Sequence, residues 1–322
     1  MLMTDQERGV PRQTPTLVVV GGASGIGRAV LTRFAADGWH VVAADLHAEN
    51  GAALVAELSG DGASVDFVET DASDESAVAA AVGRAVRASG RLDCMVNCAG
   101  VGGAFGPLVE IDVRDWDRTF AVLCRGVFLG VKHAARVMLG QAGGGSIVNI
   151  ASIAGLGGGA GPQAYSAAKA AVVNLGFTAA AELGPHRIRV NTVCPGFIPT
   201  PMTRPADGDA RQALHDVQPW PEFGTVQDVA AVVRFLGSEE SRFITGETIV
   251  VDGGVRATGT RLPPVLRGGD PAARGLTGFS NGSTGQKSVV HEIPADSPAR
   301  VGSAAIDPGG TAAGTQERKP EQ

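Results

Sequence analysis

The sequence predicts an α/β fold in which a single doubly wound parallel sheet carries helices on both faces. Short β-branched runs such as Leu17–Val20 alternate along the chain with segments that have helical apolar spacing. A glycine-rich turn follows the first run and opens the first helical segment. The alternation continues from Thr16 to about Val255, and a repeated strand, helix, strand order is typical of a parallel sheet.

The predicted elements follow one another in regular order. The first part of the chain gives strands at 17–20, 40–44, 64–68 and 92–96, separated by helices at 25–36, 49–58 and 74–88. The second part gives strands at 146–150, 187–193 and 248–251, with helices at 113–139, 162–183 and 226–235. Asp74 is a good N-cap for the third helix. Ligands of such sheets bind at the carboxyl ends of the strands, so functional residues are expected there.

The two ends of the 322-residue chain differ in composition from its centre. Residues 257–322 contain paired prolines and paired glycines, and Phe279 is their one aromatic residue. We therefore expect a catalytic domain over residues 15–256, a disordered leader over 1–14 and a mostly disordered tail over 257–322. Some apolar content at residues 288–293 leaves open a short recognition segment within that tail.

Composition narrows the classes of partner. The chain has 33 Asp and Glu against 27 Lys and Arg, and the resulting net charge of −6 gives no general attraction for nucleic acid or anionic lipid. No apolar run reaches the roughly 18 residues that a membrane-spanning helix needs. The first 15 residues carry charges without an apolar core, which disfavours secretion. These features predict a cytoplasmic protein with a small-molecule substrate.

The cysteines and histidines indicate neither a metal site nor a disulfide. Cys94, Cys98, Cys124 and Cys194 lie in apolar segments, where cysteine is typically a small buried hydrophobic residue. None of them forms a C-x-x-C pair, and the six histidines show no grouping of metal-ligand type. Unpaired cysteines fit a reducing compartment.

The turn over residues 21–27, with the sequence GGASGIG, points to a bound dinucleotide. Its glycines allow a sharp turn and a close approach of backbone to ligand, and the helix N-terminus behind it can hold a pyrophosphate. A glycine-rich turn can also serve geometry alone. We assign five residues of the turn to cofactor binding: Gly21, Ser24, Gly25, Ile26 and Gly27.

Asp45 indicates which dinucleotide is bound. It ends the second strand, 18 residues beyond Gly27, where a carboxylate can accept hydrogen bonds from both hydroxyls of an adenosine ribose. A phosphate on that ribose would be repelled. The alternative is an aspartate that caps the next helix. The residue before Gly25 is Ser24 and the residue after Asp45 is Leu46, so neither supplies a cation, and NAD(H) is predicted.

A catalytic group is indicated by Tyr165, the one tyrosine of the chain, which lies four residues before Lys169 on a predicted helix. That spacing places both side chains on one helix face. Tyrosine ionises near pH 10, so acid or base chemistry near neutrality needs a neighbouring positive charge, which Lys169 is expected to supply. Ser152 follows the strand at 146–150, where its hydroxyl can hold a substrate oxygen. Each could singly be an ordinary polar residue; together they form a candidate catalytic set.

The chain resembles a short-chain dehydrogenase/reductase over residues 16–255. The matching segments are the turn at 21–27, Asp71-Ala72, Asn97-Cys98-Ala99-Gly100, Ser152, Tyr165 with Lys169, Pro195-Gly196 running to Thr200, and Val251-Asp252-Gly253-Gly254. The resemblance implies a Rossmann-type fold that binds NAD. It implies that Asp71 and Ala72 meet the adenine and that the segment Asn97, Cys98, Ala99 and Gly100 lines the cofactor cleft. It further implies that Pro195, Ile198 and Thr200 lie at the nicotinamide and that Lys169 binds its ribose.

Three residues depart from the family pattern. Val20 stands where the family usually has Thr, and Cys98 stands in its Asn-Asn-Ala-Gly segment. Leu123 is the more consequential departure, because the family usually has Asn there, supporting a water that passes protons to the lysine. Either solvent reaches Lys169 by another route, or turnover is slow.

These features predict an NAD-dependent dehydrogenase or reductase that moves hydride between a secondary alcohol or ketone and the cofactor. The alternative is an NAD(H)-binding sensor or scaffold with impaired catalysis, motivated by Leu123. The expected pocket wall is mostly apolar, which favours a hydrophobic or cyclic substrate. It comprises Phe105, Leu156, Gln163, Phe197, Met202 and Trp220.

Residues 201–221 are the expected lid of this pocket. By resemblance, the helices at 113–139 and 162–183 should pack across a two-fold axis in dimers or tetramers.

Overall fold

A computed structural model describes residues 14–203 and 217–258 of the chain. Within them seven strands form the predicted sheet. The strands are β1 (Thr16–Val20), β2 (His40–Asp45), β3 (Val65–Glu69), β4 (Cys94–Asn97), β5 (Gly145–Ile150), β6 (Ile188–Pro195) and β7 (Thr248–Val251). The helices are α1 (Gly25–Ala36), α2 (Ala48–Gly60), α3 (Glu75–Ser89), α4 (Val113–Phe120), α5 (Gly126–Leu139), α6 (Gln163–Leu183) and α7 (Val226–Gly237).

The sheet is parallel throughout, and its strand order is β3-β2-β1-β4-β5-β6-β7. The order reverses between β1 and β4, so the loops that follow these two strands diverge and leave a crevice at their carboxyl ends. The predicted fold class is therefore confirmed.

Alternate residues of each strand pack into separate cores on the two faces of the sheet. Val18 and Val20 face one core, which also contains apolar residues of α3, α5 and α6. Leu17 and Val19 face the other core, which also contains apolar residues of α1, α2 and α7. Because both faces are buried, the strands read as continuous apolar runs rather than as an alternating pattern.

Most predicted elements are confirmed, and Asp74 caps α3 by accepting hydrogen bonds from the backbone N–H groups of Ser76 and Ala77. The single helix predicted over residues 113–139 is wrong in one respect. A π-helical turn over Ala121–Arg125 separates α4 from α5. Apolar spacing did not reveal it, because one wider turn leaves the general helical periodicity of the segment in place.

Several predicted features lie mostly outside the described residues. These are the leader at 1–14, the tail at 257–322 and the central part of the lid, residues 204–216. They stay predictions. Among the helices that are described, none is long and apolar enough to cross a membrane.

Candidate active site

The glycine turn between β1 and α1 forms one wall of the crevice. A side chain at Gly27 would place its Cβ 1.9 Å from the carbonyl oxygen of Gly21, so only glycine allows the helix to pack this closely against the turn. Ser24 is the N-cap of α1, and its side chain makes no capping hydrogen bond. The first turn of α1 also lacks acidic residues. The helix N-terminus can therefore accept an anionic group such as a pyrophosphate.

Asp45 is held firmly where β2 ends. One carboxylate oxygen accepts a hydrogen bond from Ala23 N at 2.9 Å, and the other accepts one from His47 N at 3.1 Å. The carboxylate therefore links the glycine turn to the segment that leads into α2. Leu46 and His47 also line the crevice, so Asp45 provides the acidic group at this end of it.

The crevice is a cleft of about 370 Å³ at the carboxyl ends of the strands. Most residues predicted to bind cofactor or substrate line it. They are Gly21, Ser24, Gly25, Ile26, Asp45, Asp71, Ala72, Ala99, Gly100, Ser152, Tyr165, Lys169, Pro195, Ile198 and Thr200. The elements that bring them together are distant in sequence, and only the parallel sheet makes them neighbours.

Two predicted cofactor residues are not brought to the cleft wall. Gly27 lies beneath the turn, where it serves close packing against Gly21. Asn97 is buried at the end of β4, and its side-chain amide donates to Asn149 Oδ1 at 2.8 Å. Both residues support the cleft from behind. Sequence spacing cannot separate a residue that touches a ligand from one that holds the loop in place.

Other residues line the cleft without having been predicted. Thr70, Ser73, Leu46, His47 and Val101 are sequence neighbours of predicted residues, so a wider window would have included them. Arg118, Ala121 and Val122 come from α4 and the π-helical turn. Their presence depends on how that helix crosses the sheet, and no sequence signal indicated it.

Ser152 is placed by the end of β5. It is the N-cap of a short 3₁₀ turn, Ile153–Leu156, and its hydroxyl oxygen accepts a hydrogen bond from Ala154 N at 3.1 Å. A Cβ on Gly155 would lie 2.6 Å from the backbone carbon of Lys169, so this turn packs directly on α6. Glycine at 155 therefore brings the loop after Ser152 against the helix that carries Tyr165.

Tyr165 and Lys169 occupy the first two turns of α6, one turn apart as predicted. Lys169 is buried and its Nζ donates to the carbonyl oxygen of Ile150, the last residue of β5, at 2.8 Å. The same Nζ lies 5.7 Å from the centre of the Tyr165 ring. Since Tyr165 also hydrogen-bonds the Ser152 side chain, the three groups form one constellation beside the cleft.

The electrostatics of this constellation differ from expectation. Burial raises the pKa of Tyr165 above its usual value, and the hydrogen bond with Ser152 only partly opposes this rise. Burial lowers the pKa of Lys169 to about 8. The expected lowering of the Tyr165 pKa by Lys169 is not seen, because the ammonium group is directed at Ile150 O and desolvation dominates both groups.

Leu123 lies in the π-helical turn with its side chain fully buried. A Cβ on Gly100 would lie 3.8 Å from Leu123 Cδ2, so this apolar side chain faces the loop after β4. Within residues 14–203 and 217–258, Lys169 Nζ has the single hydrogen-bond partner Ile150 O. Leu123 offers neither a donor nor an acceptor that could hold a water there.

The predicted pocket wall is only partly formed by the described residues. Met202 lines the cleft. Phe105, Phe197 and Trp220 are exposed by 89%, 46% and 64%, and form apolar surface outside the cleft lining. Gln163 donates a long hydrogen bond of 3.4 Å to Gly106 O, which ties α6 to the loop that carries Phe105.

The remaining predictions concern metals and cysteines. In the part of the chain that is described, no three His, Cys, Asp or Glu side chains come together as metal ligands. All four cysteines are free thiols, with Cys94 and Cys194 buried and Cys98 and Cys124 half-buried. Burial raises the pKa of the Cys98 thiol to about 11, so this thiol is a weak nucleophile although it lines the cleft.

Comparisons with known proteins agree with this geometry. A family model described as Enoyl-(Acyl carrier protein) reductase matches residues 21–256. The chain is 42% identical to momilactone A synthase of Oryza sativa subsp. japonica over 245 residues, 74% of this chain and 88% of that protein. It is 40% identical to cis-4-hydroxycyclohexanecarboxylate dehydrogenase of Sinomonas cyclohexanicum over 240 residues, 74% and 96% of the two chains. A solved short-chain type dehydrogenase/reductase from Mycobacterium ulcerans superposes with a TM-score of 0.73 at 35% identity, covering 83% of this chain and all of that one.

Proposed function

Because the chain belongs to the short-chain dehydrogenase/reductase family of NAD(P)-dependent oxidoreductases, we propose that it transfers hydride between NAD(H) and a hydrophobic or cyclic secondary alcohol or its ketone. The observation that carries this proposal is the convergence of Ser152, Tyr165 and Lys169 beside the cleft that the glycine turn and Asp45 also line. Relatives at about 40% identity that are named as dehydrogenases of ring alcohols support the substrate class.

The cleft has a suitable group for each part of NAD(H). The N-terminus of α1 would hold the pyrophosphate, and Asp45 would accept hydrogen bonds from the adenosine ribose. Asp71 and Ala72 would contact the adenine, with Ala99 and Gly100 along the opposite wall. Pro195, Ile198 and Thr200 would position the nicotinamide. When bound, the nicotinamide supplies the hydride acceptor or donor.

The protein's own residues handle the proton and the substrate oxygen. Tyr165 would take the hydroxyl proton of an alcohol, or give a proton to the oxygen of a ketone. Ser152 would donate a hydrogen bond to the same oxygen and hold it in place. The Lys169 ammonium would offset negative charge on the phenolate, an effect that requires it to turn part of its hydrogen bonding from Ile150 O toward the tyrosine.

A direct test is a screen of cyclic alcohols with NAD, followed at the absorbance of NADH. Borneol and both isomers of 4-hydroxycyclohexanecarboxylate are suitable first compounds, since relatives bear their names. Turnover of any of them, lost in Tyr165→Phe, would support the proposal. NADH binding without turnover of any alcohol or ketone would favour the alternative of a dinucleotide-binding sensor.

The choice between NAD and NADP should depend on the charge of Asp45. We expect Asp45→Asn to lower the affinity for NAD by about tenfold, because a charge-assisted hydrogen bond to the ribose is lost. Affinity for NADP should rise or stay unchanged, since repulsion of its extra phosphate is removed. Fluorescence titration with NADH and NADPH measures both constants.

Asp61→Asn is the matched control, because Asp61 carries the same charge at the exposed end of α2. It should leave both affinities unchanged. Equal affinity of the parent protein for NADH and NADPH would refute the proposed role of Asp45.

Leu123 gives a separate prediction about proton supply. We expect Leu123→Asn to increase kcat, because an amide at this position can hold a water near Lys169. The same change should destabilise the fold by about 2 kcal/mol, since it buries an amide in an apolar space. Steady-state kinetics and thermal unfolding measure the two effects, with Leu123→Ala as the control for lost packing alone. A kcat no higher than that of Leu123→Ala would show that proton supply does not limit turnover.

We further propose that the protein assembles as dimers or tetramers through α5 and α6. Phe128, Leu139 and Phe177 on these helices are about half exposed, which leaves apolar surface for a second copy. Light scattering should therefore give a mass at least twice that of the 32.6 kDa chain. A monomer at working concentration would contradict this assembly.

A further inference from the structure

Arg256 extends from the end of the sheet to the loop that follows the catalytic serine. It comes five residues after β7, where its backbone N–H donates to Asp252 Oδ2 at 2.8 Å. Its guanidinium Nη1 donates to the carbonyl oxygen of Leu156, a residue 100 positions earlier in the chain. Leu156 is four residues beyond Ser152, so the cation lies against the segment between Ser152 and Tyr165.

The positive charge of Arg256 is not neutralised by the described residues. No carboxylate of residues 14–203 or 217–258 forms an ion pair with it, whereas Arg28, Arg84, Arg91, Arg114 and Arg234 each have an acidic partner. The neighbouring Asp252 accepts hydrogen bonds from the backbone N–H groups of Gly254 and Arg256. A guanidinium has five N–H donors, and a single bond to Leu156 O leaves most of them available.

The space beside this guanidinium is open. Residues 157–161 have the sequence GGGAG, and a Cβ added at Gly158 or Gly159 would meet no atom within 4 Å. A Cβ at Gly157 would meet only Arg256 Nη1, at 3.6 Å. This loop therefore carries no side chains that compete for the cation, and it leaves room for a ligand that extends from the reacting groups.

The charge also acts close to the catalytic constellation. Burial raises the pKa of Cys194 to about 11, and both Lys169 and Arg256 oppose that rise through their positive charges. A hydrogen bond between this thiol and the backbone of Ser152 has the same effect. The geometric link is the 3₁₀ turn Ile153–Leu156, which Ser152 caps at its start and whose last carbonyl oxygen accepts the bond from Arg256.

We propose that Arg256 is a carboxylate-binding subsite, so that the substrate is a hydrophobic secondary alcohol or ketone with a carboxylate remote from the reacting carbon. The planar guanidinium suits a carboxylate, which it can bind through two parallel hydrogen bonds. Trp220 offers exposed apolar surface for the ring of such a substrate, and its backbone N–H donates to the carbonyl oxygen of Gly253, three residues before Arg256. This inference rests on the proposed oxidoreductase function and names its substrate class.

Binding is tested without turnover, on the full-length protein saturated with NADH. The probes are cyclohexanecarboxylate and cyclohexanecarboxamide, which share a shape and differ in charge, titrated by calorimetry. We expect the acid to bind about 10- to 100-fold more tightly than the amide. Arg256→Gln should remove that preference, and Arg256→Lys should keep part of it.

Arg242→Gln is the matched control, since Arg242 is exposed and precedes β7, whereas Arg256 follows that strand. It removes the same charge and should leave the preference unchanged. A parent protein that does not prefer the acid, including one that binds neither probe measurably, would overturn the proposal. An equal loss of affinity for both probes in Arg256→Gln would also overturn it, because that pattern shows a role in loop position alone.

Kinetics separate this inference from the proposed function. 4-Hydroxycyclohexanecarboxylate and its carboxamide are compared as substrates, and Arg256→Gln should lower kcat/KM for the acid by about 10- to 100-fold while sparing the amide. Equal turnover of acid and amide by the parent would refute the subsite and keep the oxidoreductase. Preferential binding of the acid without turnover of any alcohol would keep the subsite and refute the proposed function.

Discussion

Replacing Tyr165 by phenylalanine is expected to reduce kcat by about a thousandfold, because the proton of the substrate hydroxyl then has no acceptor. The substitution removes one oxygen atom and keeps the ring that packs beside Lys169. Affinity for NADH should change little, since the cofactor contacts are spread over the turn at 21–27, Asp45 and the loops after β3 and β4. Stopped-flow hydride transfer and NADH fluorescence measure the two quantities separately.

Ser166→Ala is a matched control for this loss of one hydroxyl from α6. The Ser166 hydroxyl donates to Gly161 O and does not line the cleft. Its removal should leave kcat within about threefold of the parent, an effect no larger than one weak hydrogen bond. If the Tyr165→Phe protein keeps parental activity, the phenol does not transfer the proton. Ser152 would then be the next candidate for that role.

Replacing Lys169 by methionine is expected to raise the melting temperature while abolishing most turnover. Burial lowers the pKa of Lys169 from its ordinary value of 10.5 to about 8. At pH 7 the lysine is protonated in both the folded and the unfolded chain, so folding has to bury a charged ammonium group. This opposes folding by on the order of 3 kcal/mol. Losing the bond to Ile150 O costs about 1 kcal/mol. The balance of about 2 kcal/mol predicts a melting temperature higher by roughly 4–8 °C.

The gain in stability should depend on pH in a defined direction. As pH rises from about 8 toward 10.5, the folded protein releases the Lys169 proton before the unfolded chain does, so the parent becomes more stable. The difference in melting temperature between Lys169→Met and the parent should therefore be smaller at pH 10 than at pH 7. Lys132→Met is the control, because Lys132 is paired with Glu75 on the surface and should give no gain. A Lys169→Met variant less stable than the parent at pH 7 would show that the buried ammonium group does not lower the free energy of unfolding.

The parts of the site that sequence predicted are those set by local periodicity. Tyr165 and Lys169 share a helix face through their spacing, and Asp45 ends a strand whose apolar run is visible in the sequence. Gly27 and Asn97 were placed in the cleft because a glycine in a turn or an amide after a strand can serve either contact or support. Only the distances from Gly27 to Gly21 and from Asn97 to Asn149 distinguish these roles.

What sequence could not supply depends on contacts between distant residues. The tyrosine pKa was expected to fall because its lysine neighbour was visible, whereas the burial that raises it was not. The π-helical turn at Ala121–Arg125 and the reach of Arg256 to Leu156 have the same origin in tertiary packing. In each case the residue types were evident, but their surroundings were not.

The hydrogen bond from Lys169 to Ile150 O makes the position of a catalytic group depend on the correct formation of β5. The lysine is held by a backbone carbonyl of β5, and the next residue, Ala151, donates its N–H to Val193 O of β6 at 2.8 Å. These strands lie inside a parallel sheet whose pairings join distant parts of the chain, a topology that forms slowly. An intermediate with formed helices but an unpaired β5 would therefore lack the lysine anchor. Recovery of activity after dilution from denaturant should coincide with protection of the β5 amides against hydrogen exchange.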